Sequence, residues 1–162
     1  MKTKRTSILT MLLALLLAAP AFGQVSIDEN AVVGTWKFTK DEAKITMTFK
    51  EDHTYNNKIF LAVEQLEGAL SITWQGTWTT EADTLTQKMD MTTINVKYVG
   101  DNKEIGQQIE QMMNANKGAL AEQFASKDTD LKLRNVVVAD DIMTYTTMQG
   151  ETQQTVIMTR SK

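Results

Sequence analysis

Apolar and polar side chains alternate with a period of two through most of this 162-residue chain, and that pattern sets the strongest limit on its fold. Val32, Gly34, Trp36 and Phe38 share one face of a segment whose other face carries Thr35, Lys37 and Thr39. Ile45, Met47 and Phe49 repeat the pattern between Lys44, Thr46, Thr48 and Lys50. Leu70, Ile72, Trp74, Gly76 and Trp78 do so between Ser71, Thr73, Gln75 and Thr77. Leu85, Gln87, Met89 and Met91 follow, and then Ile94, Val96 and Tyr98, a segment ended by Gly100. Successive side chains of a strand point to opposite faces, so this pattern buries one face of a sheet and wets the other.

Thr54 to Ala62 reads as a further strand, with its register left open by the pattern. Leu131 to Val138, Ile142 to Met148 and Thr152 to Arg160 supply three more, the last two as a hairpin around Gln149-Gly150-Glu151. Turns are expected at Glu51-Asp52-His53, Glu81-Ala82-Asp83 and Asp140-Asp141. Roughly eight or nine short strands at regular spacing predict a mainly β, antiparallel sandwich or barrel rather than a parallel sheet.

The period changes once. From Lys103 to Ala125 the apolar residues Ile105, Ile109, Met112, Met113, Ala119, Leu120 and Phe124 recur at steps of three and four, which makes one stripe on a helix. Asp101 with Glu104 resembles a capping box, and Asn102 is the alternative cap. Asn114-Ala115-Asn116-Lys117-Gly118 is expected to divide the segment into two shorter helices, because Gly and Asn are poor helix formers. The helical insert is expected to lie against the sheet or over one end of a barrel.

The first 23 residues have the three zones of a secretory signal. Lys2, Lys4 and Arg5 precede an apolar run from Ile8 to Ala19, and small residues with Pro20 follow. That run falls short of the roughly 20 residues that span a bilayer. Cleavage after Ala21 would leave Phe22 first; cleavage after Gly23 would leave Gln24 first, and the small residues at Ala21 and Gly23 favour the latter. The expected organisation is a signal peptide over 1–23 and one domain over 24–162, exported to the periplasm or secreted. The whole chain carries −3, and without the +3 of Lys2, Lys4 and Arg5 the domain carries −6. Such a charge argues against nucleic acid as a partner. The chain has no cysteine, which excludes lipoprotein anchoring, disulfides and thiolate chemistry. No stable membrane anchor is expected.

The residues give little to catalysis. His53 is the one histidine, and it stands in a turn. As a general base or metal ligand it lacks the second histidine that such sites usually carry, so an exposed turn residue is the plainer reading. Ser26, Ser71, Ser126 and Ser161 lie in no nucleophile-elbow context. A hydrolase built on two carboxylates would need a converging pair. Glu51-Asp52, Glu64 with Glu67, Glu81 with Asp83, and Asp140-Asp141 mostly fall in turns. The expectation is therefore a protein that is not an enzyme and needs no cofactor or metal.

The apolar faces are rich in aromatic and sulfur-bearing side chains. Phe38, Met47, Trp74, Trp78, Met89 and Tyr98 are candidates to line a pocket, since ligand pockets are mainly apolar with a few polar groups. The same residues could simply fill a core, because an eight-stranded barrel is just wide enough to be filled or to hold one small ligand.

Val33-Gly34-Thr35-Trp36 resembles the Gly-x-Trp signature of lipocalins and their calycin-type relatives. Thr48-Phe49-Lys50-Glu51-Asp52-His53-Thr54-Tyr55 is similar to the F-x-x-D-G-T-Y turn of small bacterial lipocalin-like domains, with His53 in place of the Gly. Gln75-Gly76-Thr77-Trp78 resembles a later G-x-W strand, and the pattern covers about Val32 to Met89. The resemblance implies a lipocalin-like barrel that binds a small apolar or amphipathic ligand. It also implies a structural latch at the closed end, formed by Gly34, Trp36 and Arg160. The helical insert departs from the family, whose main helix follows the barrel strands. The alternative reading is a filled barrel that serves as a structural or interaction domain.

Overall fold

The computed structural model describes residues 26–40, 43–63, 67–125, 130–149 and 152–161. The proposed signal peptide, with both its cleavage sites, lies outside the described residues, as does Glu64. Eight antiparallel strands close into a barrel in sequence order. They are β1 (Gly34–Lys40), β2 (Ala43–Phe49), β3 (Thr54–Val63), β4 (Gly68–Glu81), β5 (Thr84–Gly100), β6 (Asp130–Ala139), β7 (Ile142–Gln149) and β8 (Thr152–Arg160). Closure comes from β1 pairing with β8, where Trp36 faces Arg160 and Lys37 faces Thr159. Every strand then has two neighbours, and no edge is left to pair with another chain.

The period-two faces become inside and outside. Trp36, Met47, Asn57 and Trp74 are successive register partners across β1 to β4, and they form one inward row. Thr54 to Val63 acquires its register from this pairing, which puts Tyr55 and Asn57 inside. The two alternating segments after Glu81-Ala82-Asp83 are one long strand, β5. Its register against β4 jumps between Thr73↔Asn95 and Gln75↔Asp90, so Met91 to Ile94 bulge out opposite Trp74. The bulge is held locally: Asp90 Oδ1 accepts from Thr92, and Thr93 Oγ1 accepts from the Gln75 N–H and donates to the Asp90 carbonyl.

Among the described residues, two helices accompany the barrel. The short α1 (Glu29–Val32) is capped by Asp28 and sits at the end of the barrel where β1 begins. The second, α2 (Lys103–Ala125), fills the connection between β5 and β6. It runs unbroken, so Asn114 to Gly118 do not divide it; Asn and Gly lower helix propensity, but within a long helix they tax it without ending it. Asn102, rather than Asp101, caps it, its side chain accepting from the Ile105 N–H. Gly106 packs against the Tyr98 ring at 3.1 Å from its would-be Cβ, which seats the first turns of α2 on β5. Because β5 pairs with β6 directly, the insert leaves the strand order of the barrel sequential.

The core is concentrated toward the α1 end. Val32, Trp36, Met47, Phe49, Tyr55, Trp78, Leu85, Leu133, Val136, Met143, Tyr145 and Met158 form one buried cluster. Phe49 meets Trp78 edge to face with centroids 5.7 Å apart, a favoured aromatic geometry.

Candidate functional site

The closed end is fixed by a latch. The Arg160 guanidinium lies 4.2 Å from the Trp36 ring centroid. It also donates to the Val33 and Ala31 carbonyls, both at 2.7 Å. Trp36 in turn donates its indole N–H to the Val32 carbonyl at 2.8 Å. Gly34 is required by this packing: a Cβ there would stand 2.5 Å from Arg160 Nη1, on a backbone with φ of 139°. The same segment is tied down by Ile27 donating to the Ala82 carbonyl and by Thr80 donating to Glu29. Gly34, Trp36 and Arg160 therefore hold residues 27–33 across the barrel floor.

His53 belongs to this end as well. Its φ of 59° is left-handed, the conformation that favours the Gly of the resembling motif. Its ring lies 4.8 Å from Trp78, and Nε2 lies 3.8 Å from Glu29. Among the described residues, no group of three or more His, Cys, Asp or Glu is placed to hold a metal ion. Glu51, Asp52, Glu67, Glu81, Asp83, Asp140 and Asp141 are all exposed. The Thr54 hydroxyl and N–H bound to Asp52 hold its carboxyl below the usual range, as in an ordinary Asx turn.

Above the floor the interior changes character. Trp78 is sealed in the closed-end core, and its N–H donates to the Lys50 carbonyl, so it fills the barrel rather than lining a pocket. Tyr98 lies on the upper part of β5, against Gly68, Gly100 and Gly106, and anchors α2. Phe38, Met47, Trp74 and Met89 face the barrel interior between these limits. Met47 is buried, whereas Phe38, Trp74 and Met89 are only half-buried. Further toward the far end, the inward-facing Ile45 and Ile59 are half-buried, while Leu61 and Leu131 are 37% and 41% exposed. Solvent thus reaches apolar side chains inside the far half of the barrel.

A layer of polar atoms lies between the dry floor and this half-open region. Asn57 is 3% exposed and its Oδ1 has no hydrogen-bond donor. Trp74, its register partner, has a buried Nε1 without an acceptor. The indole approaches the Tyr55 hydroxyl without reaching hydrogen-bond geometry, and burial pushes the Tyr55 phenol up. Gln87 is also buried, and its Nε2 donates only to the Met47 sulfur at 3.5 Å. The alternation already placed Gln87 on an inward face; a polar residue on an otherwise apolar face was the available signal. Asn57 was hidden because the register of β3 depends on its partners.

Tyr145 completes the interior, and burial raises its phenol from 10.0 to about 12. The neutral form is favoured in the folded state, so this contribution is full below pH 10 and fades as pH rises toward 12. The rise is equivalent to about 2–3 kcal/mol. Urea unfolding midpoints are expected to fall across that alkaline window, and Tyr145→Phe is expected to flatten the fall. An equal loss in the Phe variant would assign it to other groups.

Among the described residues, no helix is long and apolar enough to cross a membrane. The sequence matches no family model and no curated protein. The chain is placed by its architecture: a closed, eight-stranded antiparallel barrel, compatible with a lipocalin-like fold.

Proposed function

We propose that this is an exported, lipocalin-like binding protein that takes a small apolar or amphipathic ligand into the open half of its barrel. The observation that carries the reading is the split interior. One end is packed dry around Trp36, Phe49 and Trp78, while Phe38, Ile45, Leu61, Trp74 and Leu131 face inward and remain accessible. A barrel filled for stability alone gains from burying such side chains, about 25 cal/mol for each Å² of apolar surface removed from water. Leaving them accessible is reasonable where a ligand covers them.

On this reading the protein is a binder and not an enzyme, and it needs no metal or cofactor. Export rests on the three-zone N-terminus, with cleavage near Gly23 and delivery to the periplasm or the medium. A second reading, an interaction domain, is favoured by exposed Val137, Ile142 and Ile157 on the outer face of β6 to β8.

One measurement tests these readings together: native mass spectrometry of the protein purified from its host. Binding is expected to give a chain beginning at Gln24 with a small-molecule adduct that is lost on denaturation. A bare monomer that also takes up no added apolar probe would overturn the binding reading. A ligand-free dimer would favour the interaction domain, and an intact N-terminus would overturn export.

A further inference from the structure

We propose that the barrel grips its ligand by an uncharged head group that both donates and accepts a hydrogen bond, seated between Asn57 and Trp74. The proposal rests on the ligand-cup reading above and names the ligand class.

Asn57 and Trp74 are directly opposite on β3 and β4, and both face inward. One offers a buried acceptor without a donor, and the other a buried donor without an acceptor. Buried polar atoms in folded proteins are nearly always paired, and here the nearby Tyr55 hydroxyl does not complete the indole's bond, so the two facing orphans call for a partner from outside the chain. Leu in place of Asn57 would fill similar space without an orphan. The two atoms are complementary in kind, so a single group with one donor and one acceptor meets both. Gln87 adds a third polar contact. Its amide donates to a thioether, a weak acceptor that a ligand oxygen would outcompete.

Charge narrows the head group. The inward row Trp36, Met47, Asn57 and Trp74 carries no charged group, Gln87 beside Met47 is neutral, and burial pushes the neighbouring Tyr55 phenol up, which keeps it neutral. Arg160 is at the floor, engaged with Trp36, Val33 and Ala31. An ionised head would lose its hydration here with no counter-charge, a heavy penalty. Hydroxyl and amide heads fit; carboxylate and ammonium heads do not. The apolar tail would then run toward Phe38, Ile45, Leu61 and Leu131.

The test uses the full domain and calorimetric titration with decanol, decanamide, decanoate and decylammonium at neutral pH. The four probes share a tail length and differ in the head. Decanol and decanamide are expected to bind about tenfold or more tighter than the two ions. Asn57→Leu and Trp74→Phe are each expected to remove most of that preference, and Asn57→Leu to melt at or above the parent temperature because an orphan polar atom is gone at similar volume. Equal affinity for all four heads overturns the proposal, as does tighter decanoate or a preference that survives both substitutions. Each of those outcomes leaves the ligand cup standing. Failure of every probe to bind overturns the proposal and the cup together.

Discussion

Trp36→Ala is expected to lower the unfolding free energy by about 4 kcal/mol or more, read from urea denaturation followed by circular dichroism. Truncating a buried aromatic side chain costs about 3–5 kcal/mol through lost transfer energy and the cavity left behind. Trp36 is fully buried, so that range applies undiminished. Two further losses add to it. The Val32 carbonyl loses its indole donor, and Arg160 loses the ring beneath its guanidinium. A cation over an aromatic face contributes about 0.5–2 kcal/mol. Domains of this size hold about 5–15 kcal/mol in total, so the variant is expected to unfold at low urea. Trp36→Phe separates the parts: it keeps a ring under Arg160 but abandons the bond to Val32, and should cost about 1–2 kcal/mol. Arg160→Met should instead free residues 27–33 from the floor and expose the Val33 region to protease. A cost below about 1 kcal/mol for Trp36→Ala would show that the latch is not structural.

Gly76→Ala is the second large effect, and its cause is different. Gly76 sits inside β4, opposite Tyr55 of β3 and Met89 of β5. A Cβ there would overlap the Lys88 carbonyl oxygen and stand 2.7 Å from the Tyr55 ring. The ring could rotate; the carbonyl belongs to a hydrogen-bonded strand and could not move without its neighbours. Overpacking that forces backbone shifts costs about 1–3 kcal/mol and sometimes more. Here about 3 kcal/mol is expected, with the thermal midpoint falling accordingly. Gly118→Ala on α2 is the control, since nothing lies within 4 Å of its would-be Cβ. It should be neutral or slightly stabilising, because Ala is the better helix former. Equal effects of the two substitutions would refute the close-approach argument.

Gly34 and Gly76 are both in the Gly-x-Trp motifs that carried the family resemblance. In each case the missing side chain makes room: for a guanidinium at Gly34, and for a backbone carbonyl and a phenol ring at Gly76. His53 follows the same logic in reverse. It occupies a left-handed turn position that glycine fills at no steric cost, and its ring then lies against Trp78.

Most strands, the helical insert and the mainly β class were legible because they follow from side-chain periodicity, a property of neighbours along the chain. Lys103 to Ala125 forms a helix because its apolar steps fit no strand. Other features depend on neighbours across space. The single course of β5 was obscured by the bulge at Met91 to Ile94, where local alternation breaks before pairing with β4 resumes at Asn95. The inward position of Asn57 follows only from its pairing with Met47 and Trp74. Trp78 and Trp74 look alike in sequence, two inward tryptophans four residues apart; they differ because the floor closes over one and not over the other. The sequence by itself determined that this chain would make a proline-free, cysteine-free β domain with one face to bury. The tertiary structure alone decided that the sheet closes, which end it seals and which polar atoms are left facing one another inside, because these depend on strand register and curvature, which period-two alternation does not encode.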